Sequence, residues 1–137
     1  MKFKLTHKPG SYLGELFCDY GQGYKKLFDT LDPLIVQSGG YTIELYASPD
    51  WAAKSNTELP YYVPLICGKN ADTHFYEFHP GNWLKDSKAC VLVGDVNEDD
   101  KTQPALRNSS TTFIKLLCLL FSDKAQYGTK NWELIIE

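Results

Sequence analysis

The run Ala89-Cys-Val-Leu-Val93 constrains the fold more than any other segment. It is short and apolar without interruption, the pattern of a central strand covered on both faces. A strand of that kind needs neighbours at both edges, and the chain supplies candidates. After a turn at Ser38-Gly39-Gly40, the residues Tyr41, Ile43 and Leu45 alternate with Thr42, Glu44 and Tyr46, the period of a half-buried strand. Tyr62 to Cys67 is apolar and ends at Gly68. Thr73 to Phe78 is rich in aromatics and follows the turn-like Gly68-Lys69-Asn70-Ala71-Asp72. Hairpin-length connections between residues 62 and 93 predict antiparallel pairing in this part. Met1 to Thr6 and Trp132 to Ile136 read as further strands.

Helical spacing accounts for the rest. From Ser11, a plausible cap, the apolar residues Tyr12, Leu13, Leu16, Phe17 and Tyr20 recur at i, i+3 and i+4. Tyr24, Leu27, Phe28 and Leu31 repeat the pattern and predict an amphipathic helix that Pro33 ends. Ser48-Pro49-Asp50 is a helix start: serine caps, proline loses nothing at the first position, and aspartate suits the positive end of the dipole. That helix is short, running to about Lys54. Asn108-Ser109-Ser110 offers caps for Thr111 to Phe121, where eight of eleven residues are apolar. The expectation is an α+β fold: a single domain over residues 1–137, with a mixed, largely antiparallel sheet flanked by helices and a long apolar C-terminal helix.

At 137 residues the chain suits one domain. Its 14 basic and 17 acidic residues give a net charge of −3, with lysines scattered and the densest charge at Glu98-Asp99-Asp100. Nucleic-acid binding normally shows a basic patch or stripe, so a basic protein partner is the better expectation. Cys18, Cys67, Cys90 and Cys118 contain no C-x-x-C pair, and the last three sit among apolar neighbours as small hydrophobes. No signal-type apolar region and no membrane-length run occurs, which points to a cytoplasmic protein that neither spans nor binds a membrane.

Gly94-Asp-Val-Asn-Glu-Asp-Asp100 places Asp95, Asn97 and Asp99 at alternate positions, as at the start of an EF-hand loop. Such a loop needs glycine sixth and glutamate twelfth, where this chain has Asp100 and Leu106, and it follows a helix rather than a strand. A solvated acidic loop is the better reading, and no metal or cofactor is called for. His74 and His79 fall on opposite faces of one strand. Glu77 and His79 share a face, as an acid/base pair or half a metal site would, but lack a third ligand. There is no G-x-S-x-G elbow, Ser109-Ser110 is explained by capping, and Gly21-Gln22-Gly23 lacks the rest of a phosphate loop. No catalytic residue is assigned.

The order of these segments resembles the SUKH superfamily, which includes fungal regulators of cell-wall glucan synthesis and bacterial toxin-immunity proteins. The resemblance runs over about residues 24–121. It starts with Tyr24-Lys-Lys-Leu-Phe28 and Gln37-Ser-Gly-Gly40, similar to a helix leading into an "NGG" turn, though Ser38 stands where asparagine is expected. It continues through Ile43-Glu-Leu-Tyr46 with Ser48-Pro-Asp-Trp51, then Tyr62-Val-Pro-Leu-Ile66 with Thr73-His-Phe-Tyr-Glu-Phe78. Ala89-Cys-Val-Leu-Val93 with Asp95 and the helix from Asn108 to Leu117 complete it. The resemblance implies a non-catalytic domain that binds another protein, often a toxin domain of nuclease or deaminase type. Carboxylates beside a cationic cleft steer encounter and occlude it, and aromatics dominate binding hot spots. The expected contact residues are therefore Asp95, Glu98, Asp99 and Asp100, with Trp51 and Trp83 as anchors and core packing the alternative for both tryptophans. Two other readings stand beside this one. One is a small enzyme or ligand-binding protein using Glu77, His79 and a pocket beneath Tyr46 and Tyr76. The other is a regulator of cell-wall or polysaccharide synthesis.

Overall fold

Nine strands in one mixed sheet and two helices make up the fold, in a computed structural model that describes residues 1–34, 36–54, 61–68 and 76–137. The chain opens with β1 (Lys2–His7), β2 (Leu13–Asp19), β3 (Tyr24–Leu31) and β4 (Gly39–Ala47). Helix α1 (Pro49–Lys54) follows, then β5 (Tyr62–Cys67) and β6 (Tyr76–His79). A 3-10 turn at Leu84–Asp86 leads to β7 (Val91–Val96) and the short β8 (Leu106–Arg107). Helix α2 (Ser109–Tyr127) and β9 (Trp132–Ile136) end it. His74 and the turn-like residues 69–72 lie outside the described residues.

The hydrogen-bond ladder returns to its start. Strand order is β3-β2-β1-β9-β4-β5-β6-β7-β8, and β3 also pairs β7 through Asp29↔Gly94, Thr30↔Val93 and Leu31↔Leu92. Eight strands thus form a closed ring, with β8 attached to the far end of β7. Closure removes the long open edges on which a flat sheet would pair with other chains. Pairing is antiparallel except for β1–β9 and β6–β7. The second exception corrects the expectation of hairpins throughout residues 62 to 93. The 80–90 segment carries the chain back past the 3-10 turn, so β7 enters in the direction of β6 rather than against it.

The two helices expected before residue 32 are strands. Along β2 the inward residues are Gly14, Leu16 and Cys18, a period of two. The pairing of β2 with β3 shifts between Leu16↔Phe28 and Phe17↔Lys26, which leaves Leu27 as a bulge residue. A bulge reverses the facing of everything beyond it. Tyr24 therefore faces out, Phe28 faces in and Leu31 faces out again, and apolar residues at 24, 27, 28 and 31 imitate a helix. The outward aromatics are not bare: Lys4 Nζ lies 5.4 Å from the Phe17 ring centroid and 4.6 Å from that of Tyr24. Each such contact is worth about 0.5–1 kcal/mol at an exposed site.

β7 is covered on both faces, as its composition requires. Val91 and Val93 enter the main core with Phe3, Ile43, Phe78 and Trp132, while Leu92 packs with Leu31 and Leu106 in a second, smaller cluster. The apolar run stops at Gly94, where a Cβ would come within 2.8 Å of the Arg107 carbonyl oxygen. α2 buries Thr112, Phe113, Leu116 and Leu120 along one stripe and ends at Gly128, whose left-handed backbone lets its N–H bond Lys124 O. Ser109 does not cap it. Its hydroxyl instead donates to Val93 O and accepts the Gly81 N–H, which fixes the helix start against β7 and the loop after β6. Cys118, expected among buried neighbours, lies on the exposed side of α2. Among the described residues no helix is long and apolar enough to cross a membrane.

Candidate functional site

Five of the six expected contact residues converge on one surface. Asp95 sits on β7 itself, paired with Arg107, and the connection between β7 and β8 carries Glu98, Asp99 and Asp100. Trp83 is brought beside it by an antiparallel bridge to Ala105 and by the Leu106 N–H donating to Asn82 O at 2.8 Å. The Trp83 indole N–H then donates to Asp100 Oδ2 at 3.1 Å. The other oxygen of Asp100 accepts the Thr102 hydroxyl at 2.7 Å and the Thr102 N–H at 3.0 Å. These donors, the Thr102 hydroxyl first, hold the Asp100 carboxyl below the usual range, so it stays ionised. Asp99 is open, its side chain 90% exposed and 3.9 Å from Arg107. Asp95 accepts the Asn108 amide at 3.0 Å, and Glu98 is exposed. The Trp83 backbone N–H donates to Asp86 Oδ2 at 3.2 Å, and Lys85 Nζ lies 5.5 Å over the ring. It is 36% exposed.

Trp51 is elsewhere. Capped by Ser48, whose Oγ accepts the Trp51 N–H at 3.3 Å, α1 lays this indole on Tyr61 with ring centroids 5.7 Å apart and on His79 at 5.2 Å. It is half-buried against the core, and Lys54 Nζ sits 4.9 Å from its centroid. Trp51 forms a wall of a cleft of about 540 Å³ shared with Asp50, Lys54, Glu77, His79 and Lys85. Lys85 also covers Trp83, so it joins the cleft to the acidic surface.

Glu77 and His79 do share this cleft, one turn of the pleat apart on β6. Tyr76 points the other way into the core and Tyr46 is not among the cleft's walls, so the four residues do not converge. Both ring nitrogens of His79 are committed to backbone, with Nδ1 2.9 Å from Pro80 O and Nε2 3.0 Å from Ser87 O. Burial pushes its pKa down against the pull of those carbonyls. A neutral ring then donates to one carbonyl and has no nitrogen facing a substrate, so it works as a brace between β6 and the loop before β7. Burial, and after it the charge of Asp50, push the Glu77 acid up. Its Oε2 is closed off from solvent and has no hydrogen-bond partner among the described residues. Among the described residues no group of three or more histidine, cysteine, aspartate or glutamate side chains could hold a metal ion.

Sequence reasoning did not find Lys54, Lys85 or Asp86. The spacing Trp51-x-x-Lys54 within a helix start was the one local signal, since residues three apart on a helix are neighbours. A scan of protein-family models and searches of curated proteins and of solved structures returned no match to this chain.

Proposed function

We propose that the chain is a non-catalytic, cytoplasmic protein-binding module whose acidic turn and Trp83 engage a basic protein partner. The immunity-protein class, neutralising a nuclease or deaminase toxin, is its best candidate through the SUKH resemblance. The observation that carries this reading is the Trp83–Asp100 hydrogen bond, which fixes a half-exposed indole beside the open carboxylates of Glu98 and Asp99. A rigid aromatic costs little entropy on association, and the surrounding charge raises the encounter rate with a cationic surface. Tyr24–Phe28 is a strand where the resemblance expects a helix, so the family reading leans on the segments from Ile43 onward.

The test is capture from the native cytoplasm by the wild type and by an Asp99→Lys/Asp100→Lys variant, with melting temperatures measured alongside. The reading expects a basic protein, held in a salt-sensitive manner and lost on charge reversal while stability holds. Equal capture by both proteins would remove the turn from the account. The enzyme reading keeps no specific support in the geometry, because His79 is committed to backbone carbonyls.

A further inference from the structure

We propose that the cleft between Trp51 and Glu77 receives the guanidinium of an arginine side chain from the protein partner. The inference rests on the reading above that the partner is basic. Its starting point is Glu77 Oε2, an acceptor that is shut away from water and makes no hydrogen bond among the described residues. A carboxylate oxygen in that state gains more from an incoming N–H donor than an exposed one, because its solvation has already been lost.

The second observation is the position of Lys54. Its ammonium lies 4.9 Å from the Trp51 centroid, within the same cleft as Glu77. The chain's own cation thus occupies the place over the ring that an incoming cation would use. It does so on an exposed stem at the end of α1. A guanidinium fits better than this ammonium: it is planar, stacks on indole, is less hydrated and presents five donors in a fork. The volume of about 540 Å³ falls within the range of sites that take small molecules or single side chains.

The lysines of the cleft do not make it an anion site. Lys54, Lys85 and Lys88 line it against Asp50, Glu77 and Asp86, and Lys54 and Lys85 are each drawn to a tryptophan ring. An anion entering as far as Trp51 would meet Asp50 and the lone pairs of Glu77. A cation there relieves the repulsion between those two carboxyl groups instead. Lys85, which covers Trp83 and lines the cleft, places the site directly beside the acidic turn, so one basic partner surface reaches both.

The experiment is an NMR titration of the intact protein with Nα-acetyl-L-arginine N-methylamide, following the Trp51 indole resonance, with the citrulline analogue as the neutral isostere. The arginine probe is expected to shift Trp51 and the citrulline analogue to leave it in place. Lys54→Met keeps the stem and removes the resident cation, and should tighten the probe about threefold. Glu77→Gln should weaken it about tenfold. Wild-type affinity should rise with pH as Glu77 ionises, while the Glu77→Gln profile stays flat. An equal response to citrulline, an unmoved Trp51 resonance, or a Lys54→Met variant that binds no more tightly overturns the proposal. The probe reports on the cleft alone and charge reversal at Asp99 and Asp100 on the turn, so failure of one reading is distinguishable from failure of the other.

Discussion

Where β1, β3 and the C-terminus meet, a buried ion pair makes stability depend on pH in a definite direction. His7 Nε2 lies 2.7 Å from Asp32 Oδ2, and the two side chains are 16% and 5% exposed. The other imidazole nitrogen lies 3.3 Å from Glu137 O, and Asp32 Oδ1 accepts the Leu34 N–H at 2.7 Å. The hydrogen bond with Asp32 is the largest cause raising the His7 pKa above the ordinary imidazole value of 6.5, and it outweighs burial. The folded state therefore holds this proton more tightly than the unfolded one. Its contribution is complete below about pH 6.5 and disappears as pH climbs through the raised folded value. His7→Ala leaves the Asp32 carboxylate almost buried and short of a partner. Breaking a fully buried pair costs about 3–5 kcal/mol, and partial water access here lowers the expectation to roughly 2–3 kcal/mol. For a domain of this size that is a fall in Tm of about 8–12 °C near pH 6. His7→Gln, which keeps an amide donor but cannot titrate, should lose less. Urea unfolding at about pH 6 and about pH 9 is the assay, run on wild type, His7→Gln, Asp32→Asn and the double variant. Wild type should lose more stability than His7→Gln across that interval, the slope they share coming from thiols such as Cys18, which burial pushes up to about 11. Parallel pH profiles, or a coupling energy below about 0.5 kcal/mol in the cycle, would refute the reasoning.

Three further outcomes follow from single side chains. Thr30 is fully buried on β3 and its Oγ1 has no partner among the described residues, so Thr30→Val should raise stability by about 1 kcal/mol, read as a higher urea midpoint at unchanged slope; a loss of that size would show the hydroxyl to be bonded. Burial pushes the Glu77 acid above the ordinary glutamate value of 4.5, which makes its ionisation unfavourable in the folded state. Wild-type stability should then fall as pH rises from 4.5 through that raised value, and Glu77→Gln should melt higher than wild type at neutral pH but not at about pH 4, a difference that calorimetry at the two conditions resolves. Leu92 is fully buried between Leu31 and Leu106 where β7 closes on β3, and Leu92→Ala should cost about 3 kcal/mol and expose the amides of the β3–β7 seam to hydrogen exchange ahead of those of β4.

Local pattern was enough wherever one strand face met the core and the other met water. Tyr41 to Leu45 is a strand as its alternation requires, the apolar run Tyr62 to Cys67 and the tail Trp132 to Ile136 are strands as expected, and α2 begins two residues before the stretch from Thr111 to Phe121 that announces it. The N-terminal third misled because two conditions for reading alternation fail there at once. The bulge at Leu27 reverses facing within β3, and the outward side is itself partly apolar: Leu31 and Leu92 meet under β8, with Leu13 packed against them. A strand that buries one side at one end and the other side at the other end produces spacings of three and four. Those spacings are indistinguishable from a helix until the partner strand is known.

The same dependence on long-range partners governed the site. The acidic turn was legible because charge density is a property of neighbours in the chain. That Trp83 belongs to it depends on the bridge to Ala105, and that Trp51 faces Glu77 and His79 depends on how α1 packs over β6. Closure of the sheet sets both, since β7 can carry the acidic turn toward Trp83 only after pairing β3 on one side and β6 on the other. The surface is therefore an outcome of the ring rather than of any motif. Leu92 pairs with Leu31 of β3 and with His79 of β6, so Leu92→Ala should disturb the Trp83–Asp100 contact and the Trp51–His79 contact together. Indole N–H exchange rates in that variant follow each tryptophan separately and test whether the acidic turn and the cleft depend on the same closure.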